Sequence, residues 1–266
     1  MKLLQCYLVD NDCYRANNTI IPKGIVVHST GANNKTLRRY VQPAKSQTKY
    51  LGGNTRQEVA KLLGANMYNN HWNKSGLTKC VHAFIGTLES GAVATVQTLP
   101  WTMRAWGCGA GYKGSYNNSH IQFEICEDAL VDRAYFDKVF KEAVELCAHL
   151  CAEYGLPVDS IVSHAESYRA GYGSNHSDPE HWFKRFGLTM LDFRAAVAKE
   201  LQRGFLVRVS ATALNIRSGP GVSYKIVDTI KNGGVYTIVA TCDGWGKLKS
   251  GVGWVNLKYT THVIRS

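Results

Sequence analysis

The chain has 266 residues with a formal net charge of +11, and 45% of its residues are hydrophobic and 19% charged, a composition typical of a globular protein large enough for two domains. No run of 18 apolar residues is present, which excludes a membrane-spanning helix and, with it, membrane insertion. The eight cysteines contain no CxxC pair, so we interpret most of them as small buried hydrophobes of a protein in a reducing compartment.

The N-terminal quarter predicts a strand and a helix. The first twelve residues, MKLLQCYLVDND, lack a signal-peptide core because Gln5 and Asp10 interrupt a short apolar patch, so we expect synthesis in the cytosol without an export signal. Residues 24–28 (GIVVH) predict a buried strand that ends on His28. Thr55 and Glu58 fit a capping box, and apolar residues at helical spacing follow them.

A β-hairpin is predicted next, because the segments 80–86 and 92–98 alternate on either side of a Glu-Ser-Gly turn. His82 lies in the first of these segments. Two interpretations of His82 stay open: it lines a cleft and binds substrate, or it is a structural histidine with its ring nitrogens paired in the core.

Residues 105–119 (AWGCGAGYKGSYNNS) are rich in glycine, tyrosine and asparagine, which is typical of a loop, and loops on a rigid scaffold often carry recognition residues. We select Trp106, Tyr112 and Asn118 from this loop as candidate substrate-binding residues. The rings of Trp106 and Tyr112 would either stack against a sugar or cover the core.

Another strand is predicted at residues 120–126 (HIQFEIC), where apolar and polar side chains alternate. Glu124 lies in the middle of this apolar strand. Because carboxylates are almost never buried unpaired, Glu124 either meets a basic partner or lines a site where its pKa is tuned for acid–base work.

The strongest predicted helix runs from Asp132, a capping residue, to Tyr154, and Gly155 ends it. A short strand at residues 160–163 follows, and then an amphipathic helix at residues 188–201. Strands that alternate with helices predict an α/β domain, a central mixed β-sheet flanked by helices.

A cluster of histidines with one aspartate suggests a metal centre. The segment 161–182 (IVSHAESYRAGYGSNHSDPEHW) holds three histidines and Asp178, and two short apolar runs end on His28 and His164. Two strands that each end on histidine would place two ligands at one rim of a sheet, and the loop would bring a third. Imidazole and carboxylate are ligands that zinc prefers, so we predict a zinc hydrolase centre of His28, His164 and Asp178. The plain alternative is that these are solvated loop residues.

From Phe205 onward, short alternating segments separated by glycine-rich turns predict a small all-β barrel. We therefore divide the chain into residues 1–202 and 203–266. The second part holds nine Lys and Arg against two Asp, a net +7, whereas the rest carries 22 basic and 18 acidic groups, a net +4. A compact basic module attracts polyanions.

The first part of the chain resembles the zinc-dependent N-acetylmuramoyl-L-alanine amidases, the type shared by phage amidases and peptidoglycan-recognition proteins. The matching segments, in order, are GIVVHST, CVHAFIG, AWGCGAG, HIQFEICED, IVSHAE and SNHSDPEHWF. The tail resembles a bacterial SH3 domain through ALNIRSGPG and GWGKL. A chain with these two domains resembles a phage or prophage endolysin of a Gram-positive, clostridial-type host.

The resemblance implies a role for each matching position. His28, His164 and Asp178 would bind Zn²⁺, Glu124 would be the catalytic carboxylate, and His176 would stabilise the tetrahedral intermediate. His82 falls on the strand where some relatives have a mechanistic tyrosine. Relatives often have Trp-His where this chain has Trp106-Gly107, so a histidine of the substrate groove is missing.

The resemblance also implies partners and a location. We expect the SH3 domain to bind peptidoglycan and anionic wall polymers, and the enzyme to act at the bacterial cell wall after release through a holin-type pore protein. A non-catalytic peptidoglycan receptor on the same fold is the alternative, but it predicts a broken ligand set. Nucleic-acid binding is not expected, because the basic residues of the tail lack the interleaved aromatic side chains of a stacking platform.

Overall fold

A computed structural model describes residues 1–44 and 55–263. The N-terminal part of the chain forms a six-stranded mixed sheet with the strand order β1-β4-β3-β5-β2-β6. The strands are β1 (Leu3–Gln5), β2 (Gly24–Ser29), β3 (Ala83–Thr87), β4 (Val93–Gln97), β5 (His120–Ile125) and β6 (Ile161–Ser163).

Three neighbouring strands, β5, β2 and β6, run parallel, so their carboxyl ends lie at the same edge of the sheet. All six residues of β2 are buried, which is expected of a parallel strand covered on both faces. The predicted hairpin is confirmed, since β3 pairs antiparallel with β4. The strand β1, which the sequence patterns did not predict, pairs parallel with β4.

Six helices accompany the sheet in the described part of the chain: α1 (Asp12–Ala16), α2 (Arg56–Leu63), α3 (Arg133–Tyr154), α4 (His164–Arg169), α5 (Glu180–Arg185) and α6 (Met190–Arg203). The longest, α3, begins where the Asp132 side chain accepts a hydrogen bond from the Tyr135 amide, and it ends at Gly155 in the left-handed conformation. The capping box of Thr55 and Glu58 begins α2. None of these helices combines the length and the apolar composition needed to cross a bilayer.

The sheet packs on two separate apolar clusters. One set of alternating residues, which includes Val27 and Phe123, joins a cluster with α3, α5 and α6. Phe84 lies in the second cluster, which contains residues of α2 and the loops before it. The alternation of β2 and β5 puts His28 and Glu124 on the face opposite Val27 and Phe123.

The C-terminal part forms a separate seven-stranded antiparallel sheet with the order β13-β7-β10-β11-β12-β8-β9. Its strands are β7 (Phe205–Val209), β8 (Leu214–Arg217), β9 (Ile226–Ile230), β10 (Val235–Cys242), β11 (Trp245–Leu248), β12 (Trp254–Asn256) and β13 (Thr260–Val263). A small apolar cluster that includes Val207 and Ile238 fills it. The two predicted fold classes, α/β followed by all-β, are confirmed.

Candidate metal centre

The sheet places His28 and His164 next to each other. His28 is the penultimate residue of β2 and is almost fully buried. The neighbouring strand β6 ends at Ser163, and the Ser163 side chain caps α4 by accepting a hydrogen bond from the Glu166 amide at 2.8 Å. His164 is therefore the first residue of a helix whose start is fixed at the rim of the sheet. The prediction that two strands deliver two histidines to one edge agrees with this geometry.

Asp178 reaches the same edge from the loop before α5. The helix α5 is anchored in the core by Trp182 and Phe183, both fully buried and both in ring contact with Phe136 of α3. The amide of Ser29 also donates a hydrogen bond to Oδ2 of Asp178 at 3.3 Å. The loop that carries Asp178 is thus held by packing on one side and by β2 on the other.

The three side chains point donor atoms at a common point. Nδ1 of His28 lies 3.0 Å from Nδ1 of His164 and 3.2 Å from Oδ2 of Asp178, and Nδ1 of His164 lies 3.3 Å from Oδ1 of Asp178. A zinc tetrahedron with bonds of about 2.0–2.1 Å has edges of roughly 3.3 Å. Two imidazole nitrogens and one carboxylate at these separations fit a zinc ion with one open position.

Hydrogen bonds to the Nε2 atoms of His28 and His164 set the tautomer in which each Nδ1 is free to bind a metal ion. Nε2 of His28 lies 3.0 Å from Oε1 of Gln122, and the Gln122 amide is oriented because its Nε2 donates to Oδ1 of Asn117 at 2.8 Å. Nε2 of His164 lies 3.1 Å from the Ser174 hydroxyl. With the Gln122 oxygen as acceptor, His28 carries its proton on Nε2 and offers the Nδ1 lone pair to the centre.

Sequence reasoning did not identify Gln122, Asn117 or Ser174 as part of the site. One signal was available for Gln122, which shares the polar face of β5 with Glu124. A polar side chain on that face of an otherwise apolar strand needs a partner, and His28 provides it.

The charge state of Asp178 follows from its neighbours. Burial acts to raise the pKa of Asp178, but the hydrogen bonds with His164 and His28 outweigh burial and hold the pKa well below its ordinary value. Asp178 is therefore a carboxylate, the form that binds metal ions.

Glu124 is the register partner of His28 on the adjacent strand, so the two side chains lie on the same face of the sheet. The residue is half-buried, and its Oε2 atom is buried without a hydrogen-bond partner among the described residues. Burial raises the pKa of Glu124 well above its ordinary value, and the charges of Asp178 and Glu127 raise it further. No described residue forms an ion pair with Glu124, although the charge of Lys79 lowers its pKa, so the geometry agrees with the interpretation that Glu124 lines a site.

His176 also belongs to this group. Its ring stacks on that of His164 with centroids 4.4 Å apart, and its Nδ1 lies 3.7 Å from Oδ1 of Asp178. The side chain is 58% exposed, so one face of the imidazole is open to solvent. An open pocket of about 500 Å³ adjoins it, lined in part by Tyr168, Arg169, His176, Ser177, His181 and Lys184.

The prediction that His82 binds substrate is wrong. His82 is fully buried. Its Nε2 donates to the carbonyl of Met103 at 2.7 Å, and its Nδ1 accepts from the amide of Gln122 at 3.0 Å. Burial lowers the pKa of His82 to about 4, so the ring is neutral at pH 7. His82 is a structural histidine, the second of the two interpretations.

The loop residues selected as substrate contacts lie at the surface. Trp106 is 41% exposed, with the Arg104 guanidinium 5.0 Å from its ring centroid, and Tyr112 is 83% exposed. Neither ring covers the core. Asn118 is exposed, whereas the adjacent Asn117 is the buried residue that orients Gln122. The exposed rings of Trp106 and Tyr112 remain candidates for stacking on a sugar.

Comparison with known proteins gives matches in both parts of the chain. Residues 17–181 match the family described as N-acetylmuramoyl-L-alanine amidase, and residues 212–261 match the bacterial SH3 domain family. The chain is 26% identical over 181 residues to Protein Ami of Listeria monocytogenes, which covers 65% of this chain and 15% of Ami. It is 44% identical over 62 residues to the probable endopeptidase p60 of Listeria seeligeri, which covers 22% of this chain and 12% of p60.

Among solved structures, the Staphylococcus aureus hydrolase AmiA, determined in complex with its ligand, is 20% identical with a TM-score of 0.49, over 75% of this chain and 83% of AmiA. The present chain spans less than a sixth of Ami and of p60. The amidase match alone extends over more than half of the chain. The chain therefore belongs to the N-acetylmuramoyl-L-alanine amidase family, and a bacterial SH3 domain follows its amidase domain.

Proposed function

We propose that this protein is a zinc-dependent hydrolase that cleaves the amide bond between N-acetylmuramic acid and L-alanine in peptidoglycan. The observation that carries the proposal is the convergence of His28, His164 and Asp178, with donor atoms 3.0–3.3 Å apart, beside a carboxyl group, Glu124, that is the register partner of His28. Membership of the amidase family supports the substrate class.

Glu124 has the properties of a general acid–base. A zinc ion held by His28, His164 and Asp178 would polarise the amide carbonyl and lower the pKa of a water molecule. Glu124 would accept a proton from the attacking water and deliver it to the alanine nitrogen as the amide bond breaks. A raised pKa suits both halves of this transfer, because the carboxyl group can give back the proton that it has taken.

We assign to His176 the stabilisation of the charge that would develop on the carbonyl oxygen. Its ring is nearly parallel to that of His164, at an interplanar angle of 11°, and the side chain is 58% exposed. A ring N–H directed at the oxygen would be a donor that acts on the transition state.

The division of labour between the two parts of the chain is also a proposal. We assign catalysis to residues 1–202 and binding of peptidoglycan and anionic wall polymers to residues 203–266, supported by the SH3 match and by the net charge of +7. We further propose that the protein works as an endolysin on a Gram-positive wall and reaches it through a partner pore protein. The motif resemblance supports this last proposal.

Exposed lysines of the tail test the wall-binding assignment. Replacement of Lys225 and Lys231 by Glu is expected to weaken binding to purified walls, and to make binding less sensitive to salt, while hydrolysis of soluble muramyl peptides is unchanged. The matched control changes Lys138 and Lys199, two exposed lysines of α3 and α6. If substitution of either lysine pair weakens wall binding equally, the assignment of wall binding to the tail is wrong.

Mass spectrometry of digested walls tests the reaction itself. The proposal predicts new L-alanine amino termini on free stem peptides and intact glycan strands. New reducing sugars would indicate a glycosidase. Binding to walls with neither product would indicate the non-catalytic receptor. A His28→Ala variant is the control, and it is expected to release no peptide.

A further inference from the structure

A buried carboxylate that the reaction does not use joins the parts of the metal centre. Glu127 follows β5 and is 3% exposed. Its Oε1 atom accepts hydrogen bonds from the Ser29 hydroxyl at 2.5 Å and from Nε2 of His181 at 3.1 Å. Ser29 is the residue after His28, and His181 is three residues after Asp178. Glu127 therefore ties the strand that carries one donor to the helix that follows another.

Backbone hydrogen bonds support the same link between β2 and the Asp178 loop. The amide of Ser29 donates to Asp178 itself at 3.3 Å, and the amide of His181 donates to the carbonyl of Ser177 at 3.1 Å. The hydrogen bond with Glu127 raises the pKa of His181, so the contact gains from charge. Rotation of the Asp178 loop away from β2 would break the contacts at Ser29 and His181 together.

A second contact of the same kind holds the other strand. Oε1 of Glu180 accepts from the hydroxyl of Ser163 at 2.5 Å and from Arg169 at 2.6 Å. Ser163 is the residue before His164. The segment that begins at Asp178 is therefore bonded to the rim of both β2 and β6, through a serine adjacent to each histidine.

Glu127 is not placed for a direct chemical role. Both of its described side-chain contacts end on one oxygen, and almost none of the residue is accessible to solvent. Apart from the effect of its charge on the pKa of Glu124, its contribution acts through the residues that it contacts. Partners outside the ligand shell commonly change metal affinity or activity by 10–100-fold when they are removed, because they orient the ligands.

We propose that Glu127 and His181 are positioning residues that hold the Asp178 loop against β2 and thereby set the affinity of the metal centre. The inference rests on the proposed function, because it takes His28, His164 and Asp178 as the ligands. The contact between Glu127 and His181 fixes the distance between β2 and the Asp178 loop. Without this contact, zinc would bind more weakly, because binding would also have to order Asp178.

Two measurements on the full-length chain test the pair. The first is the zinc dissociation constant, from competition with a chromophoric chelator. Glu127→Ala and His181→Ala are expected to weaken zinc binding about 10–100-fold. Glu127→Gln keeps an acceptor oxygen and His181→Gln keeps a donor nitrogen near Nε2, so both glutamine variants are expected to stay close to the parent.

The second measurement needs no metal. Amide hydrogen exchange at Ser29, whose N–H is bonded to Asp178, is expected to become faster in metal-free Glu127→Ala and His181→Ala and to remain slow in the glutamine variants. His149→Ala and Glu153→Ala are matched controls, since these residues form a histidine–glutamate contact of 3.2 Å on α3. Neither control is expected to change zinc affinity or exchange at Ser29.

The outcomes separate this inference from the proposed function. Zinc binding by Glu127→Ala and His181→Ala at the parent affinity would overturn it, as would an equal loss in the alanine and glutamine variants. If the parent chain binds no zinc, the proposed function fails, and exchange at Ser29 still decides whether the tie exists. If Glu127→Ala does not fold, the partly exposed His181 provides the same comparison.

Discussion

Gly107 lies directly against Gln122. A Cβ atom on residue 107 would stand 2.6 Å from Oε1 of Gln122 and 2.9 Å from Cγ1 of Val81. That Gln122 oxygen is the one that faces Nε2 of His28. A side chain at position 107 would therefore have to displace the Gln122 amide, which orients a proposed zinc ligand.

Gly107→Ala is expected to displace the Gln122 side chain and loosen His28. Zinc affinity should fall about tenfold or more, because His28 loses the acceptor that fixes its ring. Chelator competition measures the change. Gly221→Ala is the control, since its nearest contact is the exposed Tyr224 side chain at 3.3 Å. An unaltered dissociation constant in Gly107→Ala would show that Gln122 does not support the site.

Glu124→Gln is expected to abolish most hydrolysis while zinc binding persists. The amide cannot accept the proton of the attacking water, so kcat should fall roughly 10²–10⁴-fold. The release of stem peptides from purified walls measures this loss, and Glu200→Gln on α6, where Glu200 pairs with Arg203, serves as the control. Hydrolysis at the parent rate would exclude Glu124 from the chemistry.

His176→Ala is expected to lower kcat on the order of 10²-fold with little change in KM, because the lost donor acts on the transition state and not on bound substrate. His176→Lys should recover part of the rate, since an ammonium group can also donate to the oxygen. Steady-state kinetics on a soluble muramyl peptide separate the two constants. An equal rise in KM would instead assign His176 to substrate binding.

His82 should make the protein less stable in acid. Its pKa is about 4 in the folded protein, against an ordinary 6.5. The unfolded chain therefore binds more protons in that range, so stability is full above pH 6.5 and is lost as the pH falls through about 4. The loss attributable to His82 is at most about 3 kcal/mol.

Denaturant unfolding of metal-free protein, with and without His82→Gln, isolates this contribution. The stability difference between parent and variant should shrink between pH 6.5 and 4, because only the parent loses the His82 term. A difference that is constant with pH would mean that His82 titrates normally, and its burial would then not control its protonation.

The sequence predicts the parts of this molecule that repeat a local pattern. The apolar runs before His28 and His164 place both residues at the rim, and Asp132 and Gly155 mark the ends of α3. The short elements α4 and α5 escape prediction, although Ser163 and Glu166 form a capping box that their spacing already displays. Elements of three to six residues carry too few positions for periodicity to show.

Tertiary contacts decide what local patterns leave open. Alternation assigns His82 to one side of the predicted strand 80–86. It does not show that His82 lies in a bend before β3 or that its ring contacts the carbonyl of Met103. The close approach of Gly107 to Gln122 joins positions 15 residues apart, and the contact between Glu127 and His181 joins positions 54 apart. Neither spacing corresponds to a helix or strand period, so these supports become visible only when the chain is folded.

X-ray absorption at the zinc edge reports the atoms bound to the ion, and it can therefore decide whether His28, His164 and Asp178 hold zinc. For zinc-loaded protein, we expect a spectrum of nitrogen and oxygen ligands only, including two imidazoles, and loss of that spectrum in His28→Ala and Asp178→Ala. Sulfur ligands from any of the eight cysteines, or the same spectrum in Asp178→Ala, would contradict this ligand set.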